Sequence, residues 1–209
     1  MRKEKTESIL DKGGIMKKGE MTKQLIIEKS APIFNRQGYH NASLSDLMEA
    51  TGLEKGGIYR HFKSKEELAC EAFDYAIEHN SKIQMEILEE CETAFNKLET
   101  FIKIFITTKS LLGGGCPVFN TAVENDDGNP VLKKKALTAY NHWIQKLTKI
   151  AEDAKQEGSL KETVNPESLV IFILTSLEGA LIAKNLSGQK STLTTVGEEL
   201  MSYLETKKK

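Results

Sequence analysis

The sequence predicts an all-α protein of about nine helices, and three observations predict it. Apolar residues recur at helical spacing through most of the chain after residue 21, and period-two alternation persists nowhere. Gly52, Gly113-Gly114-Gly115, Asp127-Gly128, Gly158 and Gly188 punctuate the gaps, while Pro130 and Pro166 sit at first-turn positions. Helix starts carry capping residues, with Asp46 three residues after Ser43, and Glu66 and Glu67 just after Ser64.

Residues 1–20 read as a charged tail, broken at Gly13-Gly14 and expected to be disordered, with Met1, Met16 and Met21 each a possible start. From Thr22 a helical stripe of Leu25, Ile26, Lys29, Ile33 and Phe34 runs to Gly38; Pro32 removes a helix hydrogen bond, so either a kink or a helix whose neighbours absorb the defect is expected there. Ser43 caps a short helix carrying Leu44, Leu47 and Met48, which Gly52 ends. A third short helix covers about 54–62, and a long fourth runs from Ser64 to about Glu90. Further helices are expected at about 93–111, 117–124, 130–156, 166–186 and 191–206.

The composition suits a soluble globular protein: 209 residues, 39% hydrophobic, formal net charge −1. The most apolar segment, Leu169–Ala183, is short and contains Glu178, so no membrane span is expected. The charged N-terminus has no apolar core of a signal peptide. Cys70, Cys91 and Cys116 are odd in number and 21 and 25 residues apart, which gives neither a disulfide framework nor a zinc spacing and points to a reducing cytoplasm. Charge is uneven along the chain: residues 1–70 hold 13 Lys+Arg and 10 Asp+Glu, a net of +3 that leaves −4 on the remainder.

The two short helices joined by Thr51-Gly52-Leu53 have the form of a helix-turn-helix. Ile58 and Phe62 share one face of the second helix and can pack on Leu44, Leu47 and Met48. The opposite face presents Lys55, Gly56, Tyr59, Arg60 and Lys63, with cations, a phenol, bare backbone and no acid. Two adjacent glycines, Gly56 and Gly57, each cost about 1 kcal/mol against alanine in a helix. On a groove-facing surface they leave room for close backbone approach.

The stretch TGLEKGGIYRHFKSKEEL (residues 51–68), with GEMTKQLIIEKSAPIFNRQGYHNASLSDLMEA before it, resembles the DNA-binding signature of the tetracycline-repressor (TetR) family of bacterial regulators over about residues 19–75. The resemblance implies a three-helix DNA-binding domain, a helical ligand-binding and dimerisation domain, and a repressor that leaves a palindromic operator on binding a small molecule. The corresponding boundaries are 1–20 for the tail, 21–68 for the DNA-binding domain and 69–209 for the remainder. By position, Lys55, Tyr59 and His61 match DNA contacts, Tyr59 and His61 mostly on phosphate, with Ser43 and Lys65 as further phosphate contacts. Ser45 and Arg60 match positions that reach base edges. Glu54 departs from the small hydroxyl residue the family often has there, which leaves the cap of this helix open.

The C-terminal two-thirds shows no catalytic constellation, no metal spacing among His40, His61, His79 and His142, and no nucleotide-binding loop at Gly113-Gly114-Gly115, so neither an enzyme nor a cofactor is expected. Phe101, Ile104, Phe105, Cys116, Phe119, Asn120, Trp143, Leu147, Thr175 and Glu178 are candidates for lining an apolar pocket with a few polar groups. Glu178 interrupts an otherwise apolar helix and must pair, meet water or serve a site. Cys116 is either a small buried residue or a redox or electrophile sensor. The resemblance puts a homodimer interface on the last two helices. Ser176, Gly179, Ala180 and Ala183 on one, and Leu193, Val196, Leu200 and Leu204 on the other, are compatible with it. The alternative class is an enzyme or small-molecule carrier whose N-terminal bundle only packs.

Overall fold

A computed structural model describes residues 17–108 and 112–209. Residues 1–16 of the expected tail lie outside the described residues, and helix α1 already begins at Lys18, inside that tail (Lys18–Asn41). The Glu20 carboxylate accepts from the Lys17 N–H at 2.9 Å and closes its first turn. Pro32 lies within α1 without ending it; the backbone departs from helical geometry at Gly38 (φ 80°, ψ 167°), a conformation glycine adopts without a Cβ clash. The buried positions of α1 are Ile26, Ile27, Ser30, Ala31 and Asn35, whereas Leu25 and Lys29 are exposed. The expected stripe holds at Ile26, which is buried, and at Ile33 and Phe34, which pack on the same core, and fails at Leu25 and Lys29, because Leu25-Ile26-Ile27 offers two registers and the neighbouring helices select one.

Helix α2 (Leu44–Thr51) is capped reciprocally. Asp46 N–H donates to Ser43 Oγ at 3.1 Å, and Ser43 N–H donates to Asp46 Oδ2 at 2.8 Å. Gly52, at φ 68°, closes it in the left-handed region. Helix α3 (Lys55–Tyr59) is shorter than expected and its N-cap, Glu54, makes no side-chain cap. Helix α4 (Lys65–Glu89) starts at Ser64, whose Oγ accepts from Glu67 N–H at 3.1 Å. Helix α5 (Ala94–Thr107) stops short of the expected 111 because Thr108 is extended; residues 109–111 lie outside the described residues. Then come α6 (Pro117–Glu124), α7 (Pro130–Gln156), α8 (Pro166–Ser187) and α9 (Ser191–Glu205). Among the described residues the only β-pairing is an isolated bridge between Leu160 and Lys208.

A first core joins α1 to α4 through Ile26, Ile27, Leu47, Ile58, Phe62 and Leu68. Five residues are too few for α3 to stand alone. Burial of Ile58 and Phe62, worth roughly 3–6 kcal/mol together, outweighs the helix penalty of its glycines. A second, larger core joins the end of α4 to α5, α7, α8 and α9, with Leu88, Phe101, Ile102, Leu147, Leu174 and Leu204 among its members. Leu193, Leu200 and Leu204 on α9 are buried in their own chain and Val196 packs on that core, so this stripe does not face outward as expected. Ala180 on α8 is likewise turned inward.

Helix α8 is long and apolar enough to cross a membrane, with a mean hydropathy of 1.7. Its composition has a local cause. Leu169, Ile173, Leu177 and Ala180 face the core, while Ile171, Phe172, Ile182 and Leu186 are exposed on the other side.

Candidate nucleic-acid interface and small-molecule cavity

Burial of Ile58 and Phe62 sets the rotation of α3 and the turn after it. Lys55, Gly56, Tyr59, Arg60 and Lys63 are consequently exposed, together with Ser43 and Ser45 at the start of α2. His61 is half-buried. The glycines differ. A Cβ on Gly56 would meet nothing within 4 Å, whereas one on Gly57 would touch Leu53 Cβ at 3.4 Å. The open clearance expected of both belongs to Gly56.

Two expected phosphate contacts are already engaged. The Ser43 hydroxyl donates to Asp46 Oδ2 at 2.7 Å, a bond that, with the Ser43 N–H, holds the Asp46 carboxyl below its ordinary pKa. Lys65 Nζ donates to the His40 carbonyl at 3.4 Å and lies 4.8 Å from the centre of the Tyr39 ring. Partial burial lowers the Lys65 pKa, against the opposing pull of Glu124 and Asp46.

A cavity of about 270 Å³ opens among α4, α5, α7, α8 and the segment Gly113–Pro117. Of the expected lining residues, Ile104, Phe105, Cys116, Trp143 and Glu178 meet there. The others do not. Phe101 and Leu147 belong to the large core, and Phe119 packs edge-on to Tyr140 with ring centres 6.1 Å apart. Asn120 turns toward α1, and Thr175 is exposed with its hydroxyl donating to the Ile171 carbonyl at 2.7 Å. Spacing along one helix could not separate these, since the choice of face depends on neighbours distant in sequence. Asn80, Ile83 and Gln84 of α4 join the wall unannounced, because α4 reads as an ordinary amphipathic helix; Leu181, Lys184 and Asn185 of α8 and Leu193 of α9 join it too.

Glu178 is 1% exposed, and neither carboxylate oxygen has a hydrogen-bond partner among the described residues. Burial pushes its pKa up to about 7; the nearby Cys116 thiol, which forms no well-aligned hydrogen bond to it, pulls only weakly the other way. Burial, followed by the charge of Glu178, also raises the Cys116 thiol well above its ordinary value, so the reactive thiolate is disfavoured.

One wall of the cavity is tied to α1. The Asn35 side-chain amide donates to the carbonyls of Gly113 and Gly115. Asn120 Nδ2 donates to the Asn35 carbonyl at 3.0 Å and to the Gly114 carbonyl at 3.0 Å. Gly113, Gly114 and Gly115 take φ of 67°, 76° and 107°, and a Cβ on Gly114 would fall 2.8 Å from the Asn35 carbonyl oxygen. At the far end of α6, Glu124 accepts from the N–H groups of Tyr39 and His40, each at 2.8 Å, where α1 breaks at Gly38. Nothing in the sequence pairs Asn35 with Asn120 or Glu124 with Gly38, which lie in different helices.

Two family models match the chain: "Bacterial regulatory proteins, tetR family" over residues 26–72 and "Tetracyclin repressor-like, C-terminal domain" over residues 94–200. The HTH-type transcriptional repressor DhaR of Mycobacterium sp. (strain GP1) is 27% identical over 191 residues, 88% of this chain and 94% of that protein. A TetR-family regulator from Cytophaga hutchinsonii superposes with a TM-score of 0.87 at 30% identity, covering 93% of this chain and 98% of the other. One from Chloroflexus aurantiacus does so at 0.87 and 33%, covering 92% and 98%.

Proposed function

Because the chain belongs to the TetR family of bacterial regulators, we propose that it is a dimeric repressor that leaves a palindromic operator when a small molecule fills the cavity behind Gly113–Pro117. It is a DNA-binding transcriptional regulator rather than an enzyme, it acts as a homodimer, and its partner is double-stranded operator DNA. The observation that carries the reading is the rotation of α3, which buries Ile58 and Phe62 and exposes Lys55, Gly56, Tyr59 and Arg60 together.

In this reading residues 21–68 meet DNA and residues 69–209 hold the effector and the partner subunit, in the cytoplasm. Tyr59 and His61 contact phosphates, and Lys55, Arg60 and Ser45 reach base edges. Ser43 and Lys65 contribute once they exchange their present partners for phosphate. The exposed stripe of α8, with Phe172, Thr175, Gly179, Ile182 and Leu186, pairs with its copy about a two-fold axis. Tyr203 of α9, whose ring centre lies 4.9 Å from that of Phe172, extends this surface.

Release follows from the ties to α1. A ligand that displaces Gly113–Gly115 shifts Asn35 and Asn120, and α6 carries the shift to Tyr39 and His40 through Glu124. The reading helices of the dimer then lose their spacing, and the ligand favours that conformer. A sensor based on Cys116 is the weaker reading, since its thiol is held protonated.

A mobility-shift assay on the DNA upstream of the chain's own gene tests the proposal. The wild type is expected to bind one sequence specifically and with steep salt dependence. Gly56→Leu is expected to lose about 10- to 100-fold in affinity, the worth of one good base contact, while melting no lower than wild type. Full operator affinity in a folded Gly56→Leu protein would reject the groove-facing assignment of α3.

A further inference from the structure

We propose that the cavity takes a small organic cation, an amine carrying an apolar body, whose ammonium group sits against the Glu178 carboxylate. The proposal rests on the reading of this cavity as a ligand site and adds the chemistry of the ligand.

Buried carboxylates in folded proteins are paired or hydrogen-bonded. Glu178 is neither among the described residues, although it is 1% exposed and lines the cavity wall. Among the described residues the other titratable groups on that wall are Cys116 and Lys184. The Cys116 thiol is a weak donor, and Lys184 makes no ion pair with Glu178. In the proposal the partner is a donor that enters with a ligand.

The remaining wall selects among donors. Phe105 and Trp143 present aromatic surface to the same space, which attracts cations as well as apolar groups. Ile83 and Leu181 add aliphatic surface for the body of the molecule. A carboxylate or phosphate ligand beside the buried Glu178 would meet its charge at low dielectric and be repelled, and the one cation on the wall among the described residues, Lys184, is only half-buried and so better screened by solvent. A hydrocarbon would leave the carboxylate oxygens without partners. A neutral alcohol could donate one bond, but an ammonium supplies a charge-assisted bond and neutralises the site. The volume of about 270 Å³ accommodates a single ring with a short side chain.

The test titrates three near-isosteric probes, 2-phenylethylamine, 2-phenylethanol and phenylacetate, into the full chain. Fluorescence of Trp143, the chain's single tryptophan, reports occupancy. The amine is expected to bind about tenfold or more tightly than the alcohol, and phenylacetate to give no saturable change. Glu178→Gln is expected to equalise amine and alcohol. In the wild type the preference for amine fades as pH falls from 8 to 6, because Glu178 takes up a proton, and in the variant it does not. Circular dichroism confirms the fold of the variant, and Glu178→Met serves in its place if the glutamine form does not fold. Equal or tighter binding of alcohol or phenylacetate by the wild type, no binding of the amine, or an undiminished amine preference in Glu178→Gln would each overturn the proposal. An amine that binds through Glu178 yet leaves the operator complex intact supports the ligand class and instead counts against the effector role of the cavity.

Discussion

Position 178 places a carboxylate where the periodicity of α8 asks for an aliphatic side chain, and the consequence can be read in stability. Burial raises its pKa from 4.5 to about 7. The folded chain therefore holds this proton up to about pH 7, while the unfolded chain releases it near its ordinary value. The sign follows: stability from this group is greatest below pH 4.5, declines as pH rises through the window to 7, and stays low above it. The decline amounts to roughly 3 kcal/mol. Glu178→Gln is expected to remove it, so that in denaturant unfolding the variant gains on wild type between pH 4.5 and 8. A difference that stays constant across that range would show that no buried charge is being titrated. The sequence singled out Glu178 because a charge in an apolar helix is anomalous on its face. It also proposed Thr175, which stands only about 60° around the helix from Glu178, yet the structure exposes one and buries the other. Gly56 and Gly57 teach the same lesson, since adjacent residues with identical propensity separate once Leu53 is seen beside one of them.

Caps and breaks were the most legible features of the elements. Ser43 with Asp46, Ser64 with Glu67 and Gly52 all act locally, within a few residues, and that information is present in the sequence. Of the two outcomes open at Pro32, a kink or a helix held by its neighbours, the structure has the second: α1 packs on α4 and continues through Pro32, and the break falls at Gly38, where Glu124 meets two N–H groups. That junction was invisible because its two halves lie more than 80 residues apart. Its role is open to measurement. Glu124→Gln removes the charge from both hydrogen bonds and is expected to cost about 1–2 kcal/mol of stability. Amide exchange at Tyr39 and His40 should accelerate, and the affinity of the unliganded protein for operator should change several-fold. Unaltered exchange and unaltered operator affinity would remove this junction from the coupling route.

For the whole molecule, the helix count and order were legible because caps, glycines and apolar periodicity agree along the chain. Which faces meet was not. Helix α8 is apolar on both sides, and only the folded chain separates the side that faces Leu174 and Leu177 from the side that carries Phe172 and Ile182. For α9 the expected outward stripe proved to be its core side, since an apolar stripe fits either role. Phe172→Asp combined with Ile182→Asp is expected to give a folded monomer by sedimentation, with operator affinity reduced at least about 100-fold because each half-site is then bound singly. A double variant that remains dimeric would move the interface elsewhere. The unpartnered face of α8 also bears on gene dosage. A regulator assembled from two copies through such a face occupies its operator in proportion to the square of chain concentration in the limit where most copies are monomeric and the operator is mostly free. Halving the copy number then lowers occupancy about fourfold, so dilution by cell growth would itself loosen repression without any ligand.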